Sequence, residues 1–262
     1  MKKLFHYLNI WWLMSKNSFV VVLYSKLSLF IFLAGKIFRF TFFLLFLFFL
    51  IKGTRSLAGY NFQEVAFFFL IFNLIDIGAQ FLFRETYRFR SLVVSGDFDL
   101  VLVKPMSALF RSLMGGADVI DLITIPPLIV AICYIGHGLN PSLLNTAYGI
   151  LLILNAFLIS AALHIIILGI GIITLEVDNL MMIYRDFTSL GKLPVDIYRQ
   201  PVRFAITYLI PIGVMVTFPA KALLGLVSFW GVVSSLVLSL VLIFLAIRFW
   251  NYALTRYTSA SS

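Results

Sequence analysis

Residues 84–113 read RETYRFRSLVVSGDFDLVLVKPMSALFRSL, and they form the longest internal segment of this 262-residue chain that is too polar for a membrane. The segment is flanked on both sides by long apolar runs. It carries five basic and three acidic residues: Arg84, Arg88, Arg90, Lys104, Arg111, Glu85, Asp97 and Asp99. The segment therefore divides the sequence into stretches that are candidates for membrane helices.

The composition indicates a membrane protein. The chain is 62% hydrophobic and 12% charged, whereas soluble domains are roughly 45–50% apolar and about 25% charged. Several apolar runs reach or approach the length of about 18 residues that indicates a transmembrane helix. The predicted fold class is an all-α integral membrane protein in a single domain.

The apolar runs predict six spans. The fourth run holds 32 nearly uninterrupted apolar residues, which is long for one span but short of the roughly 40 that two spans and a turn need. Residues 2–17 are expected to form an interfacial helix, because their polar and basic side chains share one face and Trp11 and Trp12 lie opposite. Residues 18–35 are expected to continue it as one elbow helix over 2–35, because Lys26 would otherwise lie in the middle of a span. The spans are predicted at about 36–52, 65–83, 117–135, 144–175, 204–222 and 227–249.

The basic residues orient these spans. If the fourth run crosses once, residues 177–203 and their four bases lie on the same side as 84–113, which the positive-inside rule favours. The resulting division places 17 bases inside and three outside, the latter being Lys52, Arg55 and Lys221. Both termini are then expected in the cytoplasm.

Several chemistries lack their motifs. Gly35-Lys36 and Gly191-Lys192 are not followed by Ser or Thr, so no P-loop is present. The single Cys133 and the scattered histidines offer no zinc spacing. The bases lie at membrane boundaries rather than on one soluble face, which argues against nucleic acid as a partner. We therefore expect no catalytic residue, metal or cofactor in this chain.

A few polar or helix-breaking residues inside the predicted spans are pathway candidates. Asp76 and His164 lie at similar depths, and the two alternatives for them are a substrate or proton site and a structural contact between helices. Pro211 and Pro219 are expected to kink the fifth span, either to line a pathway or as passive kinks. Asp118 and Asp121 are expected to complement a helix N-terminus and pair with Arg111 or another loop base.

Two motifs resemble signatures of the ABC-2 family of transporter permeases. Residues 95–105, SGDFDLVLVKP, resemble the cytoplasmic element G-x-[LF]-D-x-x-L-x-[RK]-P of that family. Residues 198–201, YRQP, together with Phe204, Thr207, Pro211 and the run 218–220, resemble its second signature. The elbow helix, six spans and short external loops are also similar, so the resemblance covers essentially the whole chain.

The resemblance implies the permease subunit of an ATP-binding cassette exporter with a type V exporter-like fold. Two such permeases, identical or different, are expected to form the pathway in a bacterial-type cytoplasmic membrane, in contact with its lipid. Two separate ATPase subunits are expected to bind ATP and magnesium. Such permeases carry a coupling helix between spans two and three, at the position of 84–113. Closure of the ATPase pair is expected to act through this helix and to tilt spans one, two and five.

The residue pattern in 84–113 suits this role. Gly96-Asp97 predicts a turn, and Pro105 suits the first turn of a following helix. Four apolar residues then recur at i, i+3, i+4 and i+7, as a stripe suited to a partner's groove or, alternatively, to the membrane surface or the permease itself. The stripe is Met106, Leu109, Phe110 and Leu113, and the charged rim is Arg90, Asp97, Asp99, Lys104 and Arg111.

Three other functions remain as alternatives from the residues. A proton- or ion-coupled secondary transporter would use Asp76 and His164 in a relay. A lipid-modifying membrane enzyme would need a convergent acid or nucleophile cluster, which the sequence lacks. A membrane scaffold would need neither transport nor an ATPase.

Overall fold

The protein is helical throughout the part of the chain that the structure describes. The structure is a computed structural model that describes residues 2–258 and the side chains of residues 5–258. Within this range a single isolated bridge, between Leu57 and Tyr60, is the sole β-type pairing. The helices are α1 Lys2–Tyr24, α2 Lys26–Thr54, α3 Phe62–Leu82, α4 Phe89–Val94, α5 Asp97–Leu102, α6 Ala108–Leu113, α7 Val119–Gly138, α8 Leu143–Thr174, α9 Val177–Ser189, α10 Val202–Leu209, α11 Gly213–Leu223 and α12 Phe229–Thr255.

Five of these helices are long and apolar enough to cross a membrane: α2, α3, α7, α8 and α12. The expected spans 65–83, 117–135 and 227–249 lie at α3, α7 and α12, with ends that differ by a few residues. The expected span 144–175 is one unbroken helix of 32 residues, α8. We call the end of the bundle that carries residues 84–113 the segment end, and the end that carries loop 55–61 the loop end.

The boundary between the elbow helix and the first span differs from the prediction. The helix breaks at Ser25, where the backbone leaves the helical region (φ −99, ψ 71), and α2 then runs without interruption through residue 35. The prediction was wrong here because Lys26 was expected to lie in the middle of any span before residue 36. Lys26 is instead the first residue of α2, so its charge lies at a helix end. Lys36 lies within α2 and is bound to Asp121 of α7 at 2.5 Å.

Helices α8 and α12 form the central pair and run parallel to each other. The buried Asn155 side chain donates to the carbonyl of Ser235 at 3.1 Å, and its oxygen accepts from the Ser239 hydroxyl. Towards the segment end, Gly169 packs directly against the ring of Phe249. Small residues and interhelical hydrogen bonds of this kind are the usual basis of helix association in membranes.

The predicted fifth span is not a straight helix. Helices α10 and α11 are bent by 77° around Pro211, with π-helical turns on either side of the break. Arg203 in α10 and Lys221 in α11 bind the same carboxylate, that of Asp196, with Lys221 at 2.7 Å. Bond lengths of about 1.5 Å limit the separation of two Cα atoms joined in this way to roughly 20 Å.

A bilayer core is about 30 Å thick, so the two ends of the α10–α11 pair are too close to lie on opposite faces. Tyr60, in loop 55–61, donates to Asp196 at 3.2 Å, which places both ends at the loop end. Burial and the Asp196 carboxylate raise the pKa of Tyr60 above its usual value, so the phenol stays protonated as a donor. The pair is therefore a re-entrant element of the loop end.

The chain returns from the segment end to the loop end along α9 and the residues that follow it. Val177, at the start of α9, packs on Gly171 near the end of α8. About two turns on, the Tyr184 hydroxyl lies 3.1 Å from that of Ser160, so α9 runs back along α8 towards the loop end. Residues 190–197 then reach Asp196 at the loop end in 3₁₀ turns.

This path changes the charge division that oriented the spans. Arg203 and, one turn before it, Arg199 lie at the loop end, opposite 84–113. Moving these two changes the division of the 20 bases from 17 and 3 to 15 and 5. The excess of bases remains at the segment end. The predicted orientation is therefore unchanged, although the assignment of Arg199 and Arg203 was wrong.

Cysteine labelling tests the re-entrant element. In a Cys133→Ser background, an impermeant maleimide is expected to label Arg199→Cys and Arg55→Cys from the same side of sealed membranes. Lys104→Cys, at the segment end, is expected to react from the opposite side. Labelling of Arg199→Cys from the same side as Lys104→Cys would contradict the re-entrant element and support a straight fifth span.

The α8–α12 hydrogen bonds should contribute measurably to stability. Asn155→Leu removes both bonds, and we expect a loss of about 1–2 kcal/mol, as for interhelical hydrogen bonds in membranes. The measurement is the thermal unfolding midpoint of the detergent-solubilised protein. The control is Asn251→Leu, the same change at an exposed position of α12; equal effects of the two variants would contradict the role of Asn155.

Candidate coupling segment and membrane cavity

Segment 84–113 folds into a 3₁₀ turn, Arg84–Arg88, followed by the three short helices α4, α5 and α6. The expected turn between α4 and α5 is present, since Gly96 has φ 80, a conformation that favours glycine. The expectation for Pro105 was wrong. Pro105 lies outside α6, whose N-cap is Ser107, and the Ser107 hydroxyl accepts from the amide of Phe110 at 3.3 Å.

Buried aromatic rings fix the segment to α12. Phe89 and Phe98 are fully buried and meet edge to face at 5.2 Å between ring centroids. Phe89 also contacts Trp250, and Phe98 meets Tyr257 just after α12 at 5.1 Å. Burial and the charge of the neighbouring Asp99 carboxylate raise the pKa of Tyr257 to about 12.

Ion pairs fix the segment laterally. Arg84 binds Asp118 at 2.9 Å, and Asp118 also caps α7 by accepting from the amide of Ile120. This is the helix-terminus and loop-base role expected for Asp118. Arg111 binds Glu85 within the segment rather than Asp118, and Gly115 leaves room for that glutamate, since a Cβ there would lie 2.0 Å from its carboxylate.

The predicted docking stripe faces inward. Leu113 is buried, Leu109 packs against the same buried cluster as Phe98, and the ring of Phe110 contacts Tyr7 of α1 at 4.7 Å. Met106 is half-buried and precedes α6. The stripe therefore packs on the permease itself, the alternative open from the sequence, because Ser107 rather than Pro105 sets the start and the rotation of α6.

A different apolar surface of the segment faces outward. Its side chains are Val94, Leu100 and Val103, whose exposed fractions are 55%, 58% and 80%. Exposed Asp97 and Lys104 border it, with Pro105 beside Lys104. We call these six residues the tip surface.

Sequence reasoning missed the tip surface because α5 and its C-cap residue Val103 carry two apolar i, i+3 pairs on opposite faces. Phe98 and Val101 form the buried pair, whereas Leu100 and Val103 form the exposed one. Of the predicted rim, Arg90 is exposed and lies 3.6 Å from Asp178 at the start of α9. Asp99 is half-buried beside Tyr257.

A cavity of about 710 Å³ opens between α2, α3, α7 and the end of α9. Asp76 lines it and accepts a hydrogen bond from Gln80 at 3.0 Å. The bases that act most strongly on its charge are Arg185 and then Arg39. The cavity wall holds four bases in all: Lys36, Arg39, Arg185 and Lys192.

His164 lies elsewhere, and the expected pairing with Asp76 was wrong. His164 is fully buried and its Nδ1 is 2.8 Å from the carbonyl of Ser160. The rings of Phe83, Tyr87 and Tyr184 surround it. Asp76 instead faces the cavity, so helix rotation separates two residues whose depths suggested a contact.

The two prolines have different structural roles. Pro211 lies at the 77° break, as expected for a residue that lacks the backbone donor. Pro219 lies within α11, in the first turn of its α-helical part Phe218–Leu223, where a missing donor has little effect. Both are buried and neither lines the cavity, so a pathway role stays a prediction without a supporting contact.

The Lys36–Asp121 ion pair should be important for stability. Asp121 is buried, and its second oxygen has no hydrogen-bond partner among the described residues. Removing the base alone, by Lys36→Met, leaves an uncompensated charge and should cost about 3 kcal/mol. The double variant Lys36→Met with Asp121→Leu should recover most of the thermal stability, and failure of that rescue would contradict the pairing.

Comparison with known proteins identifies the chain's family. Residues 36–261 match the family described as ABC-2 family transporter protein. No curated protein and no solved structure shows significant similarity to the chain. No cluster of three metal-ligating side chains occurs among residues 2–258. Because the match spans most of its length, the chain belongs to the ABC-2 family of transporter proteins, as a multi-pass membrane permease component.

Proposed function

We propose that this chain is the permease subunit of an ATP-binding cassette exporter and that segment 84–113 couples it to a separate ATPase subunit. The family match over residues 36–261 carries the proposal. A transporter of this kind needs ATP, and the chain has no P-loop of its own. The ATP and magnesium therefore belong to the partner, of which two copies serve a pair of permeases, identical or different.

The tip surface is the part of the segment best suited to the partner's groove. It combines exposed apolar side chains with one acidic and one basic residue at its border, and such charged rims fix the register of docking. The excess of bases at the segment end supports a cytoplasmic position for this surface and for both termini. The membrane is then the bacterial-type cytoplasmic membrane.

Motion of the tip surface reaches the membrane through packing. Phe89 and Phe98 join the segment to α12, while Arg84 joins it to Asp118 at the start of α7. Of the expected spans one, two and five, span two lies on this route, because Ala79 of α3 and Phe83 after it are buried in the same cluster as Phe89 and Phe98. The other helices that contact the segment directly are α1, α7, α8, α9 and α12.

A secondary transporter is the weaker proposal. Its relay required Asp76 and His164 to exchange a proton, and no hydrogen bond joins them in the described part of the chain. The rings around His164 also separate it from the cavity.

Copurification tests the tip surface. Leu100→Asp places a charge in the apolar part of the surface without disturbing a buried side chain. We expect it to abolish copurification of an ATPase that mass spectrometry identifies by its P-loop motif, together with the ATPase activity of the purified complex. Membrane insertion should be unchanged.

The control is Leu226→Asp, the same change at a leucine of similar exposure at the loop end. It should leave the ATPase bound. If Leu100→Asp retains the ATPase while Phe110→Ala, well folded by its unfolding midpoint, loses it, the docking surface is the original stripe rather than the tip surface.

A further inference from the structure

We propose that the cavity between α2, α3, α7 and α9 binds an anionic amphiphile, that is, an apolar tail carrying a phosphate, sulfate or carboxylate. The inference rests on the proposed permease function, because it names the substrate class of the pathway. Its basis is the arrangement of charge and aromatic side chains along the cavity wall.

The cavity has more positive charge than its own acids neutralise. Lys36 is compensated by Asp121. Among the described residues, no carboxylate lies within 4 Å of the basic groups of Arg39, Arg185 or Lys192. Asp76, the acid in the wall, offsets at most one of these three charges, so an excess of about two remains for a ligand.

The charges and the apolar surface lie at different depths. Helices α2 and α3 are antiparallel, with Phe43 stacked on Phe69 at 4.4 Å and Phe48 against Phe62 at 5.5 Å. In that register Lys36 lies at the level of Asp76, nearer the segment end. The cavity therefore has a cationic end and, one to two turns towards the loop end, an apolar one.

Aromatic rings form the apolar end. Phe40 and Phe43 of α2 contact Phe69 of α3, and Phe46 and Phe72 extend the same wall. Rings of this kind provide a large apolar contact area at a small entropic cost. The volume of about 710 Å³ lies in the range of about 300–1,000 Å³ typical of small-molecule sites.

Other classes of ligand fit less well. A cation would meet an uncompensated positive end, and a neutral apolar molecule would leave three bases unpaired in a membrane environment, where unpaired charge is costly. A soluble anion would leave the aromatic end filled with water. An amphiphile with an anionic head satisfies both ends at once, with its tail directed towards the loop end.

The test is a lipid titration of the purified full chain in neutral detergent, followed by native mass spectrometry. Phosphatidic acid is compared with phosphatidylcholine of the same acyl chains, and inorganic phosphate is added as a competitor. We expect phosphatidic acid to bind at least tenfold more tightly, with no competition from inorganic phosphate. Arg39→Gln with Lys192→Gln should remove most of that preference, because each charged hydrogen bond contributes substantially.

The matched control is Lys52→Gln with Arg55→Gln, which removes one lysine and one arginine from the exposed loop end of α2. It should leave the preference unchanged. An equal loss in both double variants would indicate unspecific attraction of acidic lipid and overturn the proposal, as would equal binding of the two lipids. Competition by inorganic phosphate would assign the site to a soluble anion, and a changed elution volume of the cavity variant would assign its bases to assembly.

This measurement involves no nucleotide and no ATPase. Loss of lipid preference with intact ATPase copurification would overturn the substrate class alone. Loss of copurification with an intact preference would overturn the coupling assignment alone.

Discussion

Charge inside an apolar bundle must be paired or must face water, and this constraint determines much of the structure. An ionised side chain at the centre of a membrane helix costs at least about 2.5–3.5 kcal/mol when it is alone. Lys36 meets the constraint through Asp121, and the carboxylate of Asp196 satisfies Arg203 and Lys221 together. The second pairing holds the α10–α11 element closed at the loop end. Among the residues that the structure describes, Arg39, Arg185 and Lys192 have no such partner, and they line the cavity instead.

The segment between the second and third spans combines a fixed inner side with an exposed outer side. Phe89 and Phe98 are buried against α12, whereas Leu100 and Val103, on neighbouring turns, face outward. A partner that binds the outer side therefore displaces the whole segment, because its inner side is fixed to α12. Close-packed protein interiors transmit such a displacement rather than absorb it.

The sequence predicted the elements whose signal is length or composition. The single helix at 144–175 follows from its uninterrupted run, and the turn at Gly96 follows from its residue type. The predictions that were wrong concern features that depend on contacts between residues distant in the sequence or on local capping. The rotation of α6 depends on the Ser107 cap, and the re-entrant element depends on Asp196, which lies outside the apolar run that suggested a span. Apolar periodicity indicates that a face is buried, not which partner buries it, so Leu109 and Phe110 were assigned to another protein.

The cavity and the coupling segment are joined by α9. Its first residues meet α4, and Arg185, eight residues or about 12 Å further along at 1.5 Å per residue, lies in the cavity wall with Lys192, which follows the helix. One link between the segment and α9 is the ion pair of Arg90 with Asp178. Both side chains are more than half exposed, and such ion pairs contribute at most about 1 kcal/mol to stability. Burial of an aliphatic side chain contributes about 1.5–3 kcal/mol, and Val177 and Met181 of α9 are buried in the same cluster as Phe89 and Val93. Displacement of the segment thus acts on the cavity bases through this apolar contact, and the surface ion pair can be lost without breaking the connection.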